Sequence, residues 1–504
     1  MPSADQSSFN GIDAIVYAAE DSGVKLAAGV PGFPINGIFT ALQNNPSIKA
    51  DWQYNEKIAY EMAMGASACG DRSLVISKHV GINIMSDPMI ISVTHGIGAG
   101  IVVIVGDDIG AGLSQNEQDS RWYGKLAEIP VFDPATPGTL YESILKGFEM
   151  SETISAPVLV RVTESVLNSN GPIDQRRPDN PHKKMGKDAW HYTMYGKHQK
   201  YLAEGWSIAE IEANGSEMNI CELSKPAMDM HGHVGIISSG YASVIVTKVL
   251  EKVQASHLSL TQVNPIPRDL INNFMSMMDL VLVCEEGAPF IEEHISSAKV
   301  KGRLTNHLPR AGVLSEEEIL RGIKTIDSTI YLRGVEPETL ESRGYAKSHC
   351  PGCPFIPVYE VIKSLNVPVA SDVGCSIYTA NPPFQMVNVA CSLGSPVSVA
   401  CGFDQKGVAM LGDFGLLHTG MQSLLNAKLH GYNVLVVLFM NEQAAMTGGQ
   451  KVPDVTGIVK SVFEDDCIIA DMGVKTSGEI ADELKSLMEA GTMKVYLVRG
   501  KCKK

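Results

Sequence analysis

The sequence predicts an α/β protein built on doubly wound parallel sheets, and three observations carry that expectation. The stretch from Gly407 to Gln450 (GVAMLGDFGLLHTGMQSLLNAKLHGYNVLVVLFMNEQAAMTGGQ) reads as a buried strand ending in Gly-Asp, then a helix, then a second apolar strand over Val434 to Phe439 that stops at Asn441. The first third, to about Val166, alternates helix and strand in the same way. The first and last thirds resemble each other coarsely, as two copies of one α/β fold would.

At 504 residues the chain is long enough for three ordinary domains with ample core. A formal charge of −15 and a pI near 5.4 argue against a nucleic-acid or anionic-membrane partner. The opening MPSADQSSFNG lacks a basic start followed by an apolar run, so no secretory leader is expected. No uncharged apolar stretch reaches the length of a membrane span. The 10 cysteines are too sparse for a disulfide scaffold and point to a reducing cytoplasm.

In chain order, Ala14 to Glu20 reads as helix, Lys25 to Ala28 as a short strand, and VPGFPING (Val30 to Gly37) as a turn opening a helix. YNEKIAYEMAMGASACG follows, with Ala59, Ala63, Gly65, Ala66, Ser67 and Ala68 small enough for close helix packing. Strands are expected at Ser73 to Ile76, Ile101 to Val105 and Pro157 to Val162. Gly171 to Glu222 is polar and reads as a solvated connector with local helices, partner contact being the second reading. His231 to Ile326 reads as a smaller α/β region with strands near Val234 to Ile237 and Leu280 to Cys284.

Several residues carry candidate chemistry. Asp413 and Asn441 end successive strands, at the edge where open parallel sheets bind ligands, and offer oxygens to a hard cation such as Mg²⁺. Gly412 lets a diphosphate approach the backbone, and a helix starting near His418 would aim amides at it. A solvated Asp and a turn Asn are the plain alternative. Glu56 opens the small-residue helix, where a carboxylate is worth about 0.3–1 kcal/mol for the dipole alone; Glu61 is its rival. Cys350 and Cys353 form a Cys-Pro-Gly-Cys turn, with Cys375 and Cys502 further on; zinc, a redox pair or buried thiols all suit a bare CxxC. Arg121 is a candidate for a substrate carboxylate, against a surface salt bridge. His79 and His418 are candidates for proton transfer or diphosphate contact, against satisfied structural histidines.

The ordered runs YNEKIAYEMAMGAS, KHVGINIMSDP, GDDIGAGLSQNEQDSRWYGKLAEIPVFDP, VCEEGAPFIEEHI, LPRAGVLSEEEI, CPGCP, SDVGCSIY, GDFGLLHTG and AMTGGQ resemble the α subunit of indolepyruvate:ferredoxin oxidoreductase across nearly the whole chain. The resemblance implies three domains, two thiamine-diphosphate-binding doubly wound parallel-sheet domains flanking a smaller α/β domain. These are a pyrimidine-binding domain over 1–175, a connector over 176–230, a transketolase-C-like domain over 231–334, and a diphosphate-binding domain with Fe–S cysteines over 335–504. It implies Mg²⁺ on Asp413, Asn441 and the Gln443 carbonyl, with Gly412, Phe414, His418 and Thr447 around the coenzyme. Glu56 would bond the aminopyrimidine and activate it, and Cys350, Cys353, Cys375 and, least directly, Cys502 would hold a 4Fe–4S cluster. The implied reaction is anaerobic oxidative decarboxylation of an arylpyruvate-like 2-oxo acid to an acyl-CoA. Its implied partners are the 2-oxo acid, coenzyme A, ferredoxin or another electron carrier, and a small β/γ-type subunit, in an assembly that allows a dimer of heterodimers.

The sequence also departs from that family. Phe33 stands where the family has threonine near the oxo acid, Met440 where it has Asp, and Glu442 where it has Arg. The family's C-terminal ferredoxin-like segment is missing, so electrons are expected to need an outside carrier or partner. A non-oxidative decarboxylase similar to the sulfopyruvate or phosphonopyruvate enzymes, and a binding or assembly protein without chemistry, are the alternatives.

Overall fold

The structure is a computed structural model that describes residues 8–186, 191–224, 233–330 and 348–502. The expected domain boundaries at 230/231 and 334/335 lie outside the described residues, as does the start of the N-terminal stretch. The chain forms two compact units, Met1–Arg333 and Gly334–Lys504.

The first unit holds a seven-stranded sheet in the order Gln262–Asn264, Val131–Phe132, Val158–Thr163, Ile101–Asp107, Ser73–Lys78, Leu26–Gly29, Lys49–Trp52. All pairings are parallel except that of the Gln262–Asn264 edge strand. The central strands are buried on both faces, Ile101–Asp107 along its whole length, because helices cover the sheet on either side. After Leu26–Gly29 the chain runs outward to Lys49–Trp52, and after Ser73–Lys78 it runs the other way to Ile101–Asp107. The carboxyl ends of Leu26–Gly29 and Ser73–Lys78 therefore flank a topological switch point, where such sheets bind ligands.

A second sheet of this unit orders Val300–Lys301, Leu280–Cys284, Val234–Ser239, Ser256–Leu260 and Ile220–Glu222, the last antiparallel. The stretch read as a solvated connector is thus partly built in. Its helices Met194–Tyr201 and Ser207–Gly215, joined by a π turn at Leu202–Trp206, bury Tyr201, Ala209 and Ala213. Tyr201 Oη donates to the Glu128 carbonyl at 2.6 Å, and Ile220–Glu222 supplies a sheet edge. Ala209 and Ala213 are one helical turn apart, so a small apolar face was present amid polar neighbours.

The second unit carries a five-stranded parallel sheet in the order Val369–Ser371, Val408–Gly412, Leu435–Met440, Lys494–Arg499, Cys467–Asp471. Leu435–Met440 is buried throughout, and its side chains divide by parity. Val436, Leu438 and Met440 join one core layer, while Leu435, Val437 and Phe439 join the other. This double burial explains why the strand reads as an unbroken apolar run. Among the described residues, no helix is long and apolar enough to cross a membrane.

Candidate active site

In the second unit, Val408–Gly412 ends with Gly412 in extended backbone (φ −84°, ψ 161°). A Cβ added there would meet open space, so the main chain is approachable. The helix begins at Asp413 and not near His418: Asp413–Gly415 is α-helical, Leu416–Gly420 widens to a π turn, and Met421–Leu429 resumes the α form. Asp413 starts it early because its carboxylate takes the Phe414 N–H at 2.8 Å. His418 lies buried within the π turn, and Phe414 is half-buried.

Asp413 is 2% exposed, and its other oxygen accepts the N–H groups of Asn441 (3.0 Å) and Glu442 (2.7 Å). Burial pushes this carboxyl up to about 6, against the downward pull of those amides. Glu442 is left-handed, with φ +58°, at a cost of about 1–2 kcal/mol for a residue with a Cβ. That turn points its N–H at Asp413 and brings the Gln443 carbonyl back toward Asn441. With its amide nitrogen facing them, Asn441 donates to Asp413 Oδ1 at 3.2 Å and to the Gln443 carbonyl at 3.0 Å. Turned over, the amide oxygen joins those two oxygens on one point, the donor set a hard divalent cation takes. Thr447 is half-buried in the loop between the paired segments Gln443–Ala444 and Gln450–Lys451, its carbonyl accepting from Gln450 Nε2 at 2.8 Å.

Sequence reasoning passed over Asp372, which lies in the SDVGC run quoted only for its cysteine. Asp372 is 1% exposed and accepts the N–H groups of Val373 (2.9 Å) and Gly394 (3.0 Å). Burial pushes it up to about 6 as well, against those amides and His418. A Cβ at Gly415 would stand 1.9 Å from Asp372 Oδ2, so only glycine lets the start of the helix seat over this carboxyl.

Cys350, Cys353, Cys375 and Cys502 are all free thiols of intermediate burial. The Cys353 N–H donates to the Cys350 carbonyl at 3.0 Å, which closes the turn. Burial raises the Cys353 thiol, and the neighbouring Cys350 and Cys502 raise it further. Cys375 and Cys350 both act on the Tyr378 hydroxyl, and Cys353 and Cys375 on that of Tyr359. His349 packs on the same two tyrosines, its ring centroid 4.9 Å from that of Tyr359 and 5.6 Å from that of Tyr378. Among the described residues, no group of three or more His, Cys, Asp or Glu is close enough to hold a single metal ion.

In the first unit, Glu56 is the first residue of the helix Glu56–Cys69, with Asn55 capping the Lys57 N–H at 2.8 Å. Glu56 is buried, at 6% exposure, whereas Glu61 is exposed and pairs with Lys57 at 3.2 Å. The Glu56 carboxylate lies over Gly81 in the helix His79–His95, where a Cβ would stand 2.4 Å from Oε1.

Two candidates have other employment. His79 is fully buried; its Nδ1 accepts the Asp108 N–H (3.3 Å), which leaves the proton on Nε2 to face the Asn116 carbonyl (3.1 Å). Burial and Lys78 lower its pKa, which favours the neutral ring, and both ring nitrogens have partners within the protein. Arg121 is neither a substrate ligand nor part of a surface pair: it is fully buried and bonded to Asp119 (2.5 Å), Glu285 (2.8 Å), Ser239 (3.3 Å) and the carbonyls of Glu286 (3.2 Å) and Ala288 (2.9 Å). Beside it, buried Arg161 bonds Asp107 (2.6 Å), Asp133 (3.2 Å) and the Glu286 carbonyl (3.1 Å). These two guanidiniums tie the seven-stranded sheet to the smaller one, and every N–H of Arg121 already has an acceptor.

Residues 372–492 match the family described as thiamine pyrophosphate enzyme, C-terminal TPP binding domain, a span that contains Asp413 and Asn441. Sheet topology and match together define a thiamine-diphosphate-binding α/β enzyme. Indolepyruvate oxidoreductase subunit IorA of Methanothermobacter marburgensis is 31% identical over 480 residues, covering 88% of this chain and 76% of the relative. The same subunit of Archaeoglobus fulgidus is 29% identical over the same shares. The chain belongs to this IorA family and is an oxidoreductase of that type. Among solved structures, a 2-oxoglutarate:ferredoxin oxidoreductase from Magnetococcus marinus aligns at 14% identity and a TM-score of 0.49 over 64% of this chain and 65% of that one, too loosely to transfer any residue.

Proposed function

We propose that this chain, with a small partner subunit, catalyses oxidative decarboxylation of an arylpyruvate-like 2-oxo acid to its acyl-CoA, with electrons leaving through a 4Fe–4S cluster to ferredoxin or another carrier. In this reading 1–175 is the pyrimidine-binding domain, 231–334 the smaller α/β domain and 335–504 the diphosphate-binding domain. The observation that supports it most is that Asp413 Oδ1 and the Gln443 carbonyl both lie on the Asn441 side-chain amide, at 3.2 and 3.0 Å, at the carboxyl edge of a parallel sheet, so that this amide turned over would complete a set of three oxygens. Thiamine diphosphate, when bound, supplies the electron sink for loss of CO₂. Mg²⁺ on the three oxygens would neutralise the diphosphate and draw the Asp413 carboxyl back down to its ionised form. A 4Fe–4S cluster on Cys350, Cys353, Cys375 and Cys502 would accept electrons singly.

The chain's own residues do the rest. Gly412 exposes main chain to the diphosphate, with Phe414, His418 and Thr447 beside it. Glu56 holds a hydrogen bond to the aminopyrimidine ring and thereby sets which ring nitrogen carries the proton. Overall, CO₂ is released, the acyl group is joined to the coenzyme A sulfur, the thiol proton is released, and two electrons pass to the carrier.

The test is anaerobic purification with iron and sulfide assay, calorimetry of thiamine diphosphate with Mg²⁺, and viologen reduction with a panel of 2-oxo acids and coenzyme A. Iron and sulfide in cluster ratio, Mg²⁺-dependent binding lost in Asp413→Ala, and dye reduction by an arylpyruvate are expected. Colourless protein that releases CO₂ without reducing dye would instead identify a non-oxidative decarboxylase.

A further inference from the structure

With Arg121 engaged elsewhere, a reaction on a 2-oxo acid still needs a cation for the carboxylate. Lys78 is the last residue of the Ser73–Lys78 strand, so it stands on one bank of the switch-point crevice. On the other bank the loop after Leu26–Gly29 passes Gly32, whose missing Cβ would stand 2.6 Å from Lys78 Cδ and 3.0 Å from Cγ. The lysine stem therefore lies against bare main chain, in space that any side chain at Gly32 would fill. Phe33, half-buried, follows directly in that loop.

The ammonium is underused for a group so placed. Among the described residues its one hydrogen bond is to Ser114 Oγ at 3.2 Å, and it forms no ion pair within 4.0 Å. Asp108 and Glu56 are near enough to favour its charge, while burial opposes it and lowers the pKa. Asp108 is already satisfied by the N–H groups of Gly112 (3.0 Å), Leu113 (2.9 Å) and Ser114 (2.6 Å). A partly desolvated cation at a sheet's ligand edge, with donors to spare, matches a carboxylate ligand.

We infer that Lys78 is the substrate-binding residue that receives the carboxylate of the 2-oxo acid, with Gly32 setting its position. The inference rests on the proposed reaction for the identity of the acid, and the test separates the two. Phenylpyruvate and its methyl ester are titrated by calorimetry into the intact chain loaded with thiamine diphosphate and Mg²⁺, without coenzyme A or acceptor, for wild type, Lys78→Met and Lys78→Arg. Met retains the packed stem and Arg the charge.

Lys78→Met is expected to weaken phenylpyruvate binding on the order of 100-fold. Binding of the neutral ester and of thiamine diphosphate should stay within a few-fold of wild type, and Lys78→Arg should recover most of the loss. In steady state the defect should fall on KM and leave kcat within a few-fold. Unchanged phenylpyruvate affinity in Lys78→Met would overturn the assignment, as would equal losses for acid and ester, or a wild type that binds neither. A wild type that binds the acid through Lys78 yet neither decarboxylates it nor reduces dye would leave the assignment standing and remove the proposed reaction.

Discussion

Gly81→Ala is the sharpest probe of Glu56. In the helix His79–His95, alanine in place of glycine normally stabilises by about 0.5–1 kcal/mol. Here the new methyl would stand 2.4 Å from Glu56 Oε1, 2.2 Å from Ser77 Oγ and 2.8 Å from Glu56 Cγ, all inside the 3.0 Å that real Cβ contacts respect. The carboxylate must retreat by at least about 0.6 Å, and a misplacement near 1 Å costs a reaction about 100-fold. Overpacking at this buried site adds about 1–3 kcal/mol of destabilisation, more than the helix gains. The expected result is a ten- to hundredfold loss of kcat in viologen reduction, with thiamine diphosphate still bound and a modestly lower melting temperature. A variant of full activity and raised melting temperature would show that the Glu56 carboxylate has no fixed task at this point.

Arg121→Met should cost about 3–5 kcal/mol, because it leaves Asp119 and Glu285 buried without their guanidinium, and urea unfolding of the first unit reports it. A well-folded variant whose sole defect is a raised KM would return Arg121 to the substrate. His257, buried against Ser238 Oγ at 2.7 Å, has its pKa lowered by burial to about 4. Between about pH 6.5 and pH 4 the unfolded chain binds a proton that the folded chain refuses, so stability falls with pH through that window by roughly 3 kcal/mol. Urea melts should show that slope flattened in His257→Asn, and an unaltered slope would place the proton elsewhere.

Legibility followed how far a signal reaches along the chain. Leu435–Met440 and Ile101–Asp107 announced themselves because burial on both faces leaves no polar residue inside the run. Asp413 and Asn441 were visible as polar residues where such runs stop, and Glu56 as the acid that opens a helix of small residues. The helix start at Asp413 was not, since a π turn at Leu416–Gly420 breaks the periodicity on which the expectation near His418 rested. The employment of Arg121 was hidden for a different reason: its partners Ser239 and Glu285 lie 118 and 164 residues away. The CPGC spacing names two cysteines, and the Cys375 and Cys502 roles came only with the family resemblance. Lys78 opens the KHVGINIMSDP run but was given no role there, because a lysine at a strand end is ordinary until Gly32 is seen beneath it.

The buried ties of Arg161 have a consequence for synthesis. Glu286, whose carbonyl takes one of its N–H groups, is added 125 residues later, so at about 5–20 residues per second the ribosome delivers it about 6–25 s after the arginine. For most of that interval the nascent N-terminal sheet also waits for its edge strand, Gln262–Asn264. A gene truncated near codon 175, which lacks both the later ties and the edge strand, should therefore yield aggregate instead of a working module.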